Sequence, residues 1–312
     1  MDLRQLRYFI ALATHQHFGR AASVLHVAQP ALSRQIRLLE EEFGVQLFVR
    51  HARGATPTDE ALFLLERASF LVRYAEQIKQ DMSARQSEPS GPVSVGLTPG
   101  LALLLTLPLT QAVEQTLPGV RLRIVEGFPP TLRNLLLEGD VDVAILNPPY
   151  EPTKLVDEPL LTEQICLIGR GGDPRLKARS ISPAKLAGLP LVMTGLAKSG
   201  VRMELDLVAA HAGISLHQSV EVATLDVAKR LVVAGVGYTV HFAAPVQADL
   251  DEGHLVAVPI RGLYLRRFLA SAAERPPSRA TEEVISTMRH VVQDLVNNGG
   301  WLHARLEKAS KR

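Results

Sequence analysis

The chain has 312 residues, of which 46% are hydrophobic and 21% charged, with a formal net charge of +2. This length predicts two or three domains, and the composition is typical of a globular protein. No apolar run approaches the roughly 18 residues of a membrane span, and the start at Met1 lacks the layout of a signal peptide, so we expect a cytoplasmic protein that does not engage a membrane. The single cysteine, Cys166, excludes an intrachain disulfide, a cysteine-cluster zinc site and a two-cysteine peroxide switch.

Residues 1–58 carry a series of short helical patterns followed by a hairpin. Apolar residues recur at helical spacing and predict a first helix through Leu3, Leu6, Phe9, Ile10 and Ala13. A second helix is predicted over 18–25, a third over 30–43, and a small wing from extended runs at 46–50 and 55–57. The stretch holds seven arginines, no lysine and four acidic residues. This balance suits a phosphate-facing surface, although an ordinary solvated surface is the alternative.

A long helix is predicted from about residue 58 to 86. Small and apolar residues follow one another at steps of three and four: Ala61, Leu64, Ala68, Leu71, Ala75, Ile78 and Met82. This heptad repeat indicates a helix that pairs with a second copy of itself, which makes the protein a homodimer. A single amphipathic helix packed on its own domain is the alternative. The Pro- and Ser-rich segment 87–92 then ends the helix, and we predict domains at 1–58, 59–90 and 91–312.

Strand-like and helix-like runs alternate after residue 92. Strands at 93–97, 120–125 and 141–146 with helices at 101–115 and 130–138 predict a mostly parallel sheet covered on both faces. The pattern resumes with strands at 164–168, 191–193, near Val220, 237–241, 255–259 and 263–272, and with helices at 201–212, 225–234 and 281–297. We expect two α/β subdomains, roughly 91–164 with 267–312 and 165–266, with a cleft between them. Ligands of such folds bind at the carboxyl ends of strands, beside helix N-termini.

The most informative local pattern lies between His17 and Glu40. Small Ala21 and Ala22 allow a close approach of two helices, and Val27 fills the turn between them. The next helix has an inner face formed by Ala31, Leu32, Ile36 and Leu39, and an outer face that presents Gln29, Ser33, Arg34 and Arg37. Arginine pairs with guanine and glutamine with adenine in the major groove, so this helix suits DNA reading. A polar outer face alone is common to many helical hairpins.

Three further runs occur in order around this pattern: Leu6-Arg7-Tyr8-Phe9, Gly44-Val45-Gln46-Leu47-Phe48-Val49-Arg50 and Thr56-Pro57-Thr58. Together they resemble the LysR-type transcriptional regulators over essentially all of 1–60, and the downstream layout resembles that family over the whole chain. The resemblance implies an N-terminal winged helix-turn-helix, a long linker helix and a two-subdomain α/β effector domain like a periplasmic binding protein. The wing region looks most like the nitrogen-assimilation-control branch. Two positions depart from the pattern: His17 replaces a capping serine, at a cost of around 1 kcal/mol, and Ala61 replaces a glycine.

The resemblance implies DNA contacts from the helix-turn-helix and the wing. We expect Gln29 and Arg34 to touch bases and Arg53 to reach from the wing. For Arg50 the alternative is an ion pair with Glu40 or Glu41. The full predicted set is Phe18, Arg20, Gln29, Pro30, Ala31, Ser33, Arg34, Arg37, Arg50, Arg53 and Thr58, in which Ser33, Arg37, Arg50 and Thr58 meet phosphates or support the fold.

A binding site for a small, anionic effector is predicted in the cleft. Thr98-Pro99-Gly100 follows a strand and precedes a helix, so a hydroxyl and backbone N–H groups converge there. The family places its inducer at this point. The full predicted set is Thr98, Pro99, Gly100, Thr194, Ser199, Gly200, Thr224 and His241. A helix cap is the alternative role for each Thr or Ser, and for Arg202 we favour the outer face of its helix over the cleft.

The sequence lacks the patterns of a serine hydrolase, a phosphate-binding loop, a zinc protease or a dinucleotide-binding fold, so we expect no enzyme, cofactor or metal. The leading hypothesis is an effector-controlled activator or repressor that binds a pseudo-palindromic double-stranded promoter site, contacts RNA polymerase and assembles into a homotetramer. A solute-binding protein and an α/β enzyme with an added helical domain are the alternatives.

Overall fold

The computed structural model describes residues 1–51, 54–84, 88–147, 154–195 and 200–307. The chain divides into two compact units, Met1–Ser87 and Glu88–Arg312. The first is a winged helix-turn-helix followed by a long helix, and the second is an α/β domain, which confirms the predicted fold class.

Unit 1 consists of three short helices, a hairpin and one long helix. The elements are α1 (Leu3–His15), α2 (Phe18–Val24), α3 (Gln29–Phe43), β1 (Phe48–His51), β2 (Gly54–Pro57) and α4 (Asp59–Ala84). A capping box starts α1, because Asp2 accepts from the Gln5 backbone and the Gln5 side chain accepts from the Asp2 backbone. The core is closed by fully buried apolar side chains, among them Leu6, Phe9, Leu12, Leu32, Ile36, Leu39 and Phe48.

His17 caps α2 despite the expectation that it would weaken this end. Its Nδ1 accepts hydrogen bonds from the backbone N–H of Gly19 at 3.1 Å and of Arg20 at 3.4 Å. A neutral imidazole has one ring nitrogen that accepts, so it takes the place of a serine hydroxyl here. The expected cost of this departure is therefore not supported by the geometry.

The heptad stripe of α4 divides into two parts. Ala61 and Ala68 are fully buried, and α4 packs against α1. Leu71, Ile78 and Met82 are instead exposed. The alternative of packing within the same unit therefore holds for the first half of the stripe, whereas the second half remains available for a partner.

Unit 2 is built on a seven-stranded sheet and a smaller two-stranded sheet. Its strands are β3 (Ser90–Leu97), β4 (Gly119–Glu126), β5 (Val143–Leu146), β6 (Leu155–Arg170), β7 (Pro190–Thr194), β8 (His217–Val222), β9 (Thr239–His241), β10 (Leu255–Ala272) and β11 (Ala304–Leu306). Its α-helices are α5 (Pro99–Thr116), α6 (Pro129–Glu138), α7 (Gly200–His211), α8 (Leu225–Val233), α9 (Gln247–Asp251) and α10 (Arg279–Asn297).

The prediction of a mostly parallel sheet is right for only part of unit 2. Strands β4, β3 and β5 are parallel, as are β7 and β8. Strands β6 and β10 are antiparallel over nearly their whole length, and β10 also pairs antiparallel with β5. The two strands predicted at 255–259 and 263–272 are one strand with a register shift between Pro259 and Tyr264. Proline and glycine at this irregularity produce the sequence pattern of a break.

Two general features bear on function. No helix in the described ranges combines the length and the apolar character needed to cross a membrane. Over the same ranges, His, Cys, Asp and Glu side chains form no group of three or more placed to hold a metal ion.

Candidate nucleic-acid interface and ligand cleft

Helix α3 presents the predicted reading face to solvent. Gln29, Arg34 and Arg37 are exposed, as are Pro30 and Ala31. The helix begins at Gln29 with a proline in its first turn, and its N-cap residue makes no side-chain hydrogen bond. Ala31 was also expected on the inner face, and this is wrong, because the inner face consists of Leu32, Ile36 and Leu39. The exposed donors and the helix N-terminus lie on one accessible face, as base and phosphate contacts require.

Arg50 connects the wing to the helix-turn-helix. Its guanidinium donates to the Ser33 hydroxyl at 3.0 Å and lies over the half-buried Phe18 ring, 4.7 Å from the centroid. The alternative of an ion pair with Glu40 is not what the structure shows, because the Glu40 carboxylate accepts from the backbone N–H of Leu47 and Phe48. Arg50 thus orients Ser33 at the reading face while its own side chain stays exposed. Arg20 is exposed on the neighbouring helix.

Thr58 and Gly54 hold the wing in place, which is the supporting role considered for Thr58 beside a phosphate contact. The Thr58 hydroxyl donates to the Gln46 carbonyl at 2.9 Å and accepts from Ala61 at the start of α4. Gly54 has φ of +148°, and a Cβ there would meet the Gln16 carbonyl oxygen at 2.2 Å. Only glycine fits this close approach, which fixes the wing against the end of α1. Arg53, the predicted wing contact, lies outside the described residues.

Seven of the eight predicted effector residues line one cleft in unit 2, a cavity of about 70 Å³. Thr98, Pro99 and Gly100 come from one side, and Thr194, Gly200, Thr224 and His241 complete the predicted set. Ser199 lies outside the described residues. The cleft is also lined by residues that the sequence pattern did not indicate: Phe128, Pro129, Asn147, Gly195, Val201, Ala223, Leu225, Phe242, Leu265 and Arg267.

Four helices begin at this cleft. Thr98 and Phe128 are the N-cap residues of α5 and α6, Gly200 is the first residue of α7, and Thr224 is the N-cap residue of α8. Thr224 caps its helix with its side chain, which is the alternative role considered for it, whereas Thr98 and Phe128 make no side-chain cap. Each helix N-terminus carries a positive partial charge, so the four together favour an anion in the cleft.

Arg202 lies in the cleft wall, contrary to the expectation that it would occupy the outer face of its helix. Its Nε lies 3.2 Å from the Asp206 carboxylate, and its Nη2 donates to the side-chain oxygen of Gln218 at 3.3 Å. Because α7 starts at the cleft, a residue in its first turn reaches the cleft wall while it still pairs along the helix. None of the described lining residues is acidic, and the two arginines of the lining are paired with carboxylates outside it, Arg202 with Asp206 and Arg267 with Glu163.

His241 is packed against the first turn of α5. A Cβ on Gly100 would lie 2.8 Å from the His241 ring, and the ring centroids of His241 and Phe242 are 4.3 Å apart. Burial, together with the charge of Arg267, lowers the pKa of His241 to about 4 although the Phe242 carbonyl opposes this shift. The imidazole is therefore neutral near pH 7, and Gly100 is required for its close packing.

The lone cysteine has no reactive character. Cys166 is fully buried on β6, and burial raises the pKa of its thiol to about 12. A protonated, enclosed thiol is a poor nucleophile, so Cys166 is a core side chain.

Two family models match this chain. "Bacterial regulatory helix-turn-helix protein, lysR family" matches residues 3–62, and "LysR substrate binding domain" matches residues 86–293. Among similar curated proteins, the HTH-type transcriptional regulator BbuR of Bordetella bronchiseptica is 28% identical, covering 96% of this chain and 93% of its own. The nitrogen assimilation regulatory protein nac of Klebsiella aerogenes is 30% identical, covering 92% and 95%.

Solved structures share the fold. A full-length OxyR variant from Pseudomonas aeruginosa superposes with a TM-score of 0.72 at 24% identity, covering 94% of this chain and 95% of its own. Full-length CbnR complexed with its target DNA gives a TM-score of 0.66 at 21% identity, covering 93% and 100%. In both comparisons the matched part of this chain includes residues of unit 1 and of unit 2.

Proposed function

The chain belongs to the LysR family of DNA-binding transcriptional regulators, which carry a substrate-binding domain for small effectors, and from this premise we propose that its own effector is a small anion. The observation that carries the proposal is the cleft itself. Four helix N-termini and Arg202 converge there, and the described lining residues include no carboxylate. A carboxylate ligand gains from both features, because backbone N–H groups and a guanidinium each donate charge-assisted hydrogen bonds.

We assign sequence reading to 1–58, with Gln29 and Arg34 at base edges, and Ser33, Arg37 and Arg50 at phosphates. Helix α4 supplies the dimer contact through its exposed Leu71, Ile78 and Met82, and two dimers form the tetramer. A dimer presents two recognition helices, which fits a pseudo-palindromic site. The remaining domain, 91–312, binds the effector. Effector binding changes the contact of the regulator with RNA polymerase, and the result is activation or repression. We also propose that the protein acts in the cytoplasm, where its promoters are.

DNA reading is tested with a mobility-shift titration on the DNA upstream of the protein's own gene. We expect a shifted complex that competes with specific but not with scrambled DNA and that weakens steeply with salt, because phosphate contacts release counterions. Equal affinity for scrambled DNA at every salt concentration contradicts the assignment of base contacts to α3.

The anionic effector is tested separately by following thermal unfolding of the full chain against a set of small mono- and dicarboxylates, each paired with its neutral amide. We expect at least one acid, and not its amide, to raise the unfolding temperature, and Arg202→Gln to remove this rise. Arg230→Gln is the matched control, because Arg230 is exposed on α8 and does not line the cleft. A rise with amides only, or one that Arg202→Gln leaves intact, contradicts an anion held at Arg202.

A further inference from the structure

A second cavity of about 250 Å³ lies in unit 2, and none of its described lining residues also lines the cleft. It is lined by Leu167, Arg175, Leu176, Ile181, Lys185, Leu189 and Tyr238. An apolar cavity of roughly 150 Å³ is large enough to hold benzene, so this one has room for a ring or a short aliphatic chain.

The walls of the cavity are apolar and well packed. Leu167, Leu176, Ile181 and Tyr238 are all buried. Leu167 on β6 is followed two residues later by Gly169, which lies on the same face of the strand. A Cβ on Gly169 would meet Leu176 at 2.5 Å and Tyr238 at 2.9 Å. Glycine therefore allows both side chains to lie against the strand, and they form a firm apolar wall.

Among the described residues that line the cavity, the charged ones are two cations, and one of them is held in position. Arg175 donates to the Tyr238 hydroxyl at 3.0 Å, and this hydroxyl donates to the Asp173 carboxylate at 2.5 Å. Asp173 also accepts from the Arg175 backbone N–H at 2.8 Å. The Asp173 carboxylate is thus engaged by a hydroxyl and a backbone group, and a guanidinium has five N–H donors, of which Tyr238 takes one. Lys185 is exposed on the short helical turn Pro183–Leu186.

We propose that this cavity is a second ligand site that binds an amphipathic monoanion, a carboxylate on a short aliphatic or aromatic tail. The tail lies against Leu167, Leu176 and Ile181, and the carboxylate meets Arg175 and Lys185. The apolar walls exclude a highly polar metabolite, and the two cations select an acid over the matching alcohol or amine. This site does not depend on the cleft, and it gives the regulator a second chemical input.

The probe for the experiment is hexanoate, with 1-hexanol and hexylammonium as matched neutral and cationic probes. The full chain is labelled at its isoleucine and leucine methyl groups, and methyl NMR spectra are recorded during each titration. We expect hexanoate to shift the Ile181 and Leu176 methyl signals in a saturable way, hexanol to bind about tenfold more weakly, and hexylammonium to leave them unchanged.

Three variants distinguish binding in this cavity from binding in the cleft. Lys185→Gln changes an exposed side chain, so the fold is retained, and we expect weaker hexanoate binding with hexanol binding unchanged. Arg175→Gln should weaken hexanoate by about tenfold. Arg202→Gln in the cleft is the control and should bind hexanoate at Ile181 as wild type does.

The proposal is overturned by any of three results. The first is the absence of a saturable shift at Ile181 or Leu176 up to about 10 mM hexanoate. The dissociation constant would then lie above about 10 mM, an affinity too weak for a ligand site. The second is hexanoate binding that Arg202→Gln removes and Arg175→Gln and Lys185→Gln leave intact, which places the probe in the cleft. The third is equal affinity for hexanoate and hexanol. If the cleft proves not to bind an anion, all three measurements can still be interpreted, because they follow methyl signals from the second cavity.

Discussion

Arg267 and Glu163 form a buried ion pair across the long strands β10 and β6. The guanidinium lies 2.6 Å from Oε1 of Glu163, with the side chains only 3% and 0% exposed. Trp301 donates its indole N–H to Oε2 of the same carboxylate at 2.9 Å. Arg267 also lines the cleft and lies over the Phe242 ring, 5.0 Å from its centroid. The pair therefore connects the cleft wall to the C-terminal segment of the chain.

Removing one partner of this pair should destabilise unit 2 strongly. Glu163→Gln leaves the Arg267 charge buried without its counter-charge, and we expect a loss of about 3–5 kcal/mol in the free energy of unfolding. The measurement is urea unfolding followed by the fluorescence of Trp301, the single tryptophan of the chain, which reports on unit 2.

The neighbouring pair is the control. Arg266 and Glu307 are 2.7 Å apart, but Arg266 is 54% exposed, so Arg266→Gln should cost no more than about 1 kcal/mol. Equal losses for the two variants would show that burial does not set the strength of the Arg267–Glu163 pair.

The contrast between these residues also shows what the sequence could predict. Signals carried by neighbours in the chain were sufficient to locate the helices of unit 1: helical spacing indicated α1 to α4, and the outward Gln29, Arg34 and Arg37 follow from that spacing. Arg267 and Glu163 are 104 positions apart, and no periodicity pairs them. Their contact depends on the antiparallel β6–β10 register. The sequence predicts β10 as two separate strands, because Pro259 lies at the register shift within it.

The cleft shows the same division. Thr98, Gly100 and Thr224 were predictable, because each follows a strand-like run and starts a helix. The sequence favours the outer face for Arg202, whereas the residue lies in the cleft wall. Spacing along a helix tells which residues share a face, but not which face meets the cleft. That orientation is set by the packing of α7 on the rest of unit 2.

The cap at His17 should be replaceable by serine but not by alanine. Nδ1 of His17 accepts two backbone N–H groups at the start of α2, so His17→Ala should cost about 1 kcal/mol locally. Hydrogen-exchange mass spectrometry on peptides that cover 17–25 measures this, and we expect roughly fivefold faster exchange for His17→Ala. His17→Ser should keep wild-type protection. If serine exchanges as fast as alanine, the imidazole packs rather than caps.

Arg34 should determine sequence preference without affecting the fold. Its side chain is exposed on α3, so Arg34→Ala should reduce specific affinity by about 1–3 kcal/mol and leave the unfolding temperature unchanged. The matched control is Arg261→Ala, which removes another exposed arginine, this one from unit 2. Mobility shifts on the protein's own upstream DNA and on scrambled DNA make the comparison. If both variants lose the same affinity for both DNAs, Arg34 acts through charge alone and the recognition register is wrong.

The exposed half of the α4 stripe should hold the dimer together. Ile78 is 49% exposed, and Ile78→Glu would place two carboxylates in the proposed helix pair, so we expect dissociation to monomers. Leu62→Glu is the control, because Leu62 is 50% exposed on the same helix but off the heptad stripe. Light scattering after size-exclusion chromatography gives the mass of each. A dimeric Ile78→Glu variant together with a monomeric Leu62→Glu variant would move the interface to another face of α4.

His241 should make unit 2 less stable as the pH falls. The pKa of His241 is about 4 in the folded protein against an ordinary 6.5. Its contribution to the free energy of unfolding is therefore constant well above pH 6.5, where the imidazole is neutral in both the folded and the unfolded chain. Below pH 6.5 the unfolded chain takes up a proton that the folded chain refuses, and stability is lost until about pH 4. At pH 5 the loss is about 2 kcal/mol, an upper value because the ring keeps some contact with water in the cleft.

The measurement compares wild type with His241→Gln in urea at pH 7.5 and pH 5, again through Trp301 fluorescence. Other histidines and the carboxylates titrate in both proteins, so the difference between the two losses isolates His241. We expect wild type to lose about 2 kcal/mol more than the variant, because glutamine carries no proton across this range. Equal losses would mean that the imidazole is protonated in the folded cleft at pH 5. In that case the cleft would offer a bound anion a third cation beside Arg202 and Arg267.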